Sequence, residues 1–81
     1  GQMPDDIPQV TLHAPKEGLA VTRMLKQAGL VASVSEAQRM IEQAGVRLDG
    51  ERVSDKALKI ARGATVVAQV GKRKFARITL A

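Results

Sequence analysis

Between Ser33 and Val53 the spacing of apolar residues changes from a helical period to a strand period across a single glycine, Gly45. Few folds satisfy both halves. Ala37, Met40, Ile41 and Ala44 recur at the i, i+3, i+4, i+7 spacing that lines one face of an amphipathic helix. Beyond Gly45, Val46 and Leu48 flank Arg47, Asp49-Gly50 supplies a two-residue turn tolerant of positive φ, and Val53 returns to the apolar side. The stretch predicts a capped helix running into a tight hairpin. In that register Arg47 lies across from Arg52 on the outer face, where like charges cost a few tenths of a kcal/mol. An anionic ligand would account for the pair; so would partial neutralisation by Asp49 and Glu51.

Upstream, Val21, Met24, Leu25 and Ala28 repeat the helical template over residues 19–28. The two segments share letters at a spacing of sixteen, from Arg23-Met24-Leu25 to Gly29 against Arg39-Met40-Ile41 to Gly45. Two copies are too few for a solenoid, so the reading is a helix pair. Gly29 and Gly45 are placed to close the helices in the left-handed conformation, with Leu30 and Val46 folding back on Leu25 and Ile41 as in a Schellman motif. Ser33 with Glu36, or Ser35 with Gln38, forms a capping box at the start of the second helix. Capping alone accounts for both serines, although the same helix start is a ready phosphate site.

Toward the N-terminus, residues 1–9 read as a linker, with Gly1 and Gln2 as added residues. Val10 and Leu12 suggest a short strand with His13, the only histidine, as a surface residue. Residues 54–65 read as irregular, with Lys56, Lys59 and Arg62 on a solvated edge. Residues 66–70 and 75–80 are β-rich and joined by Gly71-Lys72-Arg73-Lys74, a hairpin with three consecutive cations at its tip. Alternation sends Ala76, Ile78 and Leu80 inward and Arg77 outward. Phe75 shares the outward side unless a bulge near Gly71 shifts the register; the reading taken for it is a partly buried residue at the core edge, against the alternative of an exposed ring that stacks on a base or ribose.

The 81 residues suffice for one modest core. No apolar run is long enough to span a membrane, and without cysteine there are no disulfides or thiolate metal sites. No nucleophile–base pair, phosphate loop or metal-ligand spacing emerges, so neither catalysis nor a cofactor or metal is expected of these residues. Thirteen Lys and Arg stand against eight Asp and Glu. Residues 1–32 are neutral, so the whole excess of +5 lies from Ser33 onward, where ten bases face five acids. Three basic groups result: the outward helix faces (Arg23, Lys26, Arg39), the first hairpin (Arg47, Arg52) and the second (Lys72, Arg73, Lys74, Arg77). Arg39 also has Glu36 and Glu42 within reach on its own helix. With one Phe and no Trp or Tyr, the chain lacks the aromatic platform of single-strand readers, leaving phosphate contact and shape.

Ser33-x-Ser35-Glu36-Ala37-x-Arg39-x-Ile41 followed by Gly45-x-x-Leu48-Asp49-Gly50-x-x-Val53 resembles the S-four-like RNA-binding module, the alpha-L motif. Residues 69–78, with the entry Ile7-Pro8-Gln9-Val10-Thr11-Leu12, extend the resemblance to the C-terminal domains of bacterial tyrosyl-tRNA synthetases and to most of the chain. Asp49 stands where the family usually has Asn, and Ala64 where an acid usually follows Gly63. The resemblance implies the tail of a cytoplasmic enzyme, homodimeric through its missing part, whose ATP and tyrosine sites lie elsewhere. The tail would grip the anticodon arm and long variable arm of tyrosine tRNA. RNA-facing positions carried over are Ser33, Ser35 and Arg39, with Arg47 and residues 72–74 placed less directly.

The expectation is an α+β domain over residues 10–81, two amphipathic helices on a small, mainly antiparallel sheet, presenting one basic face to structured RNA. Alternatives are an rRNA-modifying or ribosome-associated protein using the same module, a DNA-binding helix-turn-helix, and a protein-interaction tail.

Overall fold

The computed structural model describes residues 7–81. Gly1, Gln2 and most of the expected linker lie outside the described residues, and Gln9 already belongs to the first strand. Seven strands and two helices follow in the order β1 (Gln9–Leu12), β2 (Leu19–Ala20), α1 (Val21–Gln27), α2 (Val34–Glu42), β3 (Val46–Leu48), β4 (Glu51–Arg52), β5 (Lys59–Ile60), β6 (Thr65–Val70) and β7 (Lys74–Leu80). Five strands form one sheet in the order β1-β7-β6-β3-β4, and β2 pairs with β5 in a second. Only β1 on β7 is parallel. This is the expected α+β arrangement with a mainly antiparallel sheet.

The period-2 pattern decides which sheet face is covered. Val46, Ala68, Val70, Ala76, Ile78 and Leu80 point inward and form one core cluster with Val21, Met24 and Leu25 of α1 and Ala37 and Ile41 of α2. Both helices therefore cover the same side of the sheet. At about 25 cal/mol per Å² of apolar surface removed from water, this shared layer is the main stabilising term.

Helix α1 begins at Val21, later than the apolar spacing predicts, because Leu19 and Ala20 are taken into β2 opposite Ile60 and Lys59. The strand pair also caps the helix. Ala20 makes no side-chain cap bond, and the Val21 amide donates instead to the Leu58 carbonyl at 2.9 Å. Gly18 allows this approach: a Cβ there would stand 2.8 Å from the Ile60 carbonyl oxygen, and its φ is +98°. The region 54–65, expected to be irregular, thus contains a short strand whose partner lies about forty residues away in the chain.

The two helices end differently despite their shared letters. At α1 the Gly29 amide donates to Lys26 and the Leu30 amide to the Leu25 carbonyl, both at 3.0 Å, the expected Schellman geometry. At α2 the same motif falls one residue early. Ala44 takes the left-handed conformation (φ 60°), its amide donates to Ile41, and Gly45 donates to Met40 at 2.7 Å. Gly45 itself is not left-handed; a Cβ there would come within 2.7 Å of Met40 Cε and 3.3 Å of the Met40 carbonyl oxygen. The earlier exit lets Val46 enter the sheet opposite Val70.

Candidate nucleic-acid interface

The β3–β4 hairpin is built as its letters predict. Asp49 (φ 52°) and Gly50 (φ 85°) are both left-handed, as a type I′ turn requires, and Arg47 is registered directly against Arg52. Asp49 makes no ion pair with either arginine. Its backbone amide donates to the Val67 carbonyl and its Oδ1 accepts the Val67 amide, each at 2.8 Å, so the carboxylate serves as a backbone bracket for β6. An Asn side-chain oxygen would accept the same bond, which explains why either residue suits the turn.

The acids of α2 are likewise engaged elsewhere. Ser33 is the N-cap, its hydroxyl accepting the Glu36 amide at 3.1 Å, while Glu36 Oε1 lies 3.4 Å from the Ala32 amide. Glu42 pairs with Lys56 at 2.6 Å, and that hydrogen bond, followed by the lysine's charge, holds its carboxyl below the usual glutamate range. It is the only ion pair among the described residues. Arg39, Arg47, Arg52 and Arg77 are all exposed and have no carboxylate partner. No acidic residue follows Asp55.

The cations and serines fall into two sets. Cross-strand register places Arg52, Arg47, Gln69 and Phe75 in one row across the outer sheet face, with Val67, Arg77 and Gln9 in the next. The second set belongs to the helix layer: Arg23 and Lys26 on the exposed side of α1, Ser33 and the exposed Ser35 at the start of α2, and Arg39 in its last turn. Lys26 and Arg39 sit where they complement a helix dipole, which is a structural role sufficient in itself. The β6–β7 turn joins the sheet face to the helix ends. Its Gly71 amide donates to the Gly45 carbonyl at 2.8 Å, and Arg73 and Lys74 line a groove with Gly29 and Leu30 at the end of α1. The cations expected on one basic face thus fall in two groups, on the outer sheet face and on the helix layer that covers the sheet's other side, with residues 72–74 in the turn between β6 and β7.

The sheet face also holds residues that charge does not single out, Phe75 among them. Phe75 is half-buried but belongs neither to the core nor to the apolar residues packed against it. It is partly buried, as expected, but on the outer sheet face rather than at the core edge: the register carries no bulge at Gly71, and Phe75 stands opposite Gln69. Alternation along β7 was the available signal. Lys56 is exposed, as expected of a solvated edge, and pairs there with Glu42.

No group of metal-binding side chains occurs among the described residues, and no helix among them is long and apolar enough to cross a membrane. The model of the S4 domain family matches residues 18–66, from the glycine before β2 to the start of β6. The chain is also similar to proteins named tyrosine–tRNA ligase: 62% identical to that of Thiobacillus denitrificans over 99% of this chain, 58% to that of Nitrosospira multiformis over 99%, and 62% to that of Burkholderia thailandensis over 99%. It spans about a fifth of the length of these relatives, 20%, 20% and 19% respectively. The match over residues 18–66 takes in both helices, the Ser33 cap and the opposed Arg47 and Arg52, and on that ground the chain belongs to the S4 domain family.

Proposed function

We propose that this domain holds structured RNA by setting unpaired cations against phosphates, and that its RNA is tyrosine tRNA, gripped at the anticodon arm and the long variable arm. The observation that carries the reading is the Arg47–Arg52 pair, registered against each other with no carboxylate on either. Folding gains nothing from that arrangement, whereas a phosphate between two guanidiniums would turn repulsion into charge-assisted hydrogen bonding. Membership of the S4 domain family and the similarity to tyrosine–tRNA ligases support the choice of RNA and of tRNA. In this reading the chain is the tail of a cytoplasmic, homodimeric ligase. Its ATP and tyrosine sites lie in the remainder of that protein, and this domain positions the substrate through its shape and backbone.

Competition binding tests it. Labelled tyrosine tRNA transcript is displaced from the 81-residue chain by unlabelled transcript, an rRNA fragment of equal length, or duplex DNA. The reading expects the tyrosine tRNA to compete best, and Arg39→Glu to weaken binding. Preference for the rRNA fragment would move the domain to a ribosome-directed protein, preference for duplex DNA would indicate a helix-turn-helix role, and no binding to any of them would reject nucleic-acid binding.

A further inference from the structure

We infer that Phe75 is a stacking site for one unpaired nucleotide of the bound RNA, a contact that goes beyond phosphate positioning and rests on the RNA-binding reading above. The chain's only Phe, in a sequence without Trp or Tyr, stands outside the core, in the row that continues from Arg52 and Arg47 through Gln69. It lines two open grooves, one shared with Arg47, Gln69 and Lys72, the other with Arg73 and the end of α1. The ring therefore has cations on both sides, the arrangement in which a base lies on an apolar surface while its flanking phosphates meet guanidinium and ammonium groups. Asp49 also lines the first groove, but its Oδ1 accepts the Val67 amide and it makes no ion pair with Arg47 or Lys72.

Gln69 defines the site's selectivity. Its Nε2 donates to the Gly71 carbonyl at 3.1 Å, and because a carbonyl only accepts, that bond fixes which end of the amide faces the turn. The free Oε1 and the remaining N–H can meet the donor–acceptor edge of any of the four bases. The site accordingly requires an unpaired base and does not discriminate among them. A fully paired helix keeps its bases stacked on one another and offers no face to the ring.

Absence of Trp and Tyr gives this inference a clean readout, because Phe75→Trp would be the sole fluorophore of its kind. The experiment compares wild type, Phe75→Leu and Phe75→Trp in binding tyrosine tRNA transcript and a blunt, fully paired RNA duplex of similar length. Expected are a loss of tRNA affinity in Phe75→Leu on the order of 5- to 150-fold, little change for the duplex, and quenching of the Phe75→Trp emission by tRNA but not by bound duplex. Because Phe75 lies outside the core, both variants should keep the wild-type circular dichroism spectrum. If tRNA binds with normal salt dependence while Phe75→Leu is unaffected and Phe75→Trp unquenched, the stacking site is wrong and the phosphate reading stands. Absence of salt-dependent tRNA binding in the wild type sinks both. Phe75-dependent self-association of the free chain would overturn the site in favour of a protein partner.

Discussion

Among single residues, Ala44 and Ser33 show how local chemistry sets the α2 boundaries. Ala44 holds a φ of 60°, a conformation that costs a non-glycine residue about 1 kcal/mol. Ala44→Gly is therefore expected to stabilise the domain by about 0.5–1 kcal/mol, read as a shift in the urea midpoint with unchanged slope. Gly45→Ala should do the opposite, since its Cβ must displace the Met40 terminus. At the other end, Ser33→Ala removes the acceptor for the Glu36 amide and should cost about 1 kcal/mol, whereas Ser35→Ala, which makes no such bond, should leave the midpoint in place. The serine cap was legible because its spacing to Glu36 is a local rule. The α2 terminus was misplaced by one residue because the left-handed position falls on Ala44 rather than on the glycine that attracts such an assignment.

At the level of elements, the β3–β4 hairpin separates stability from binding. Arg52→Glu would face Arg47 with an opposite charge and is expected to stabilise the fold by about 0.5 kcal/mol while weakening tRNA binding. Denaturation and binding curves on the same variant check that opposition of sign. The tie between α2 and the segment before β5 has a pH signature. Glu42 has its folded-state pKa lowered by Lys56, so the stability from this pair is present above the unfolded carboxylate pKa and lost as pH falls through the folded one. The stability gap between wild type and Glu42→Gln should accordingly close between neutral and acid pH, and shrink with added salt because the pair is exposed. The helix pair, the Asp49-Gly50 turn and the inward register of β7 were legible because each follows from residues a few positions apart. The β2–β5 pairing was not: two-residue strands carry no period, and their partners are joined only through the packed core. The parallel placement of β1 on β7 is equally non-local.

For the molecule as a whole, sixteen buried apolar residues among the described residues form one cluster between sheet and helices, and the cationic side chains stand outside it. Charge excess and core formation are thus separable. Of the proposed contacts, the cations were visible as residue types but not as an arrangement, since nothing in linear order shows that Phe75 shares a row with Arg47 or that residues 72–74 reach the helix ends. The role proposed for the unpaired arginines on the outer sheet face is to neutralise RNA phosphates. Its most direct test is the affinity for tyrosine tRNA transcript as a function of salt, for wild type and for Arg47→Glu/Arg52→Glu. Log affinity is expected to fall linearly with log salt, more steeply in the wild type than in the double variant by about two units of slope, one for each arginine removed. Equal slopes and equal affinities for the two proteins would contradict it.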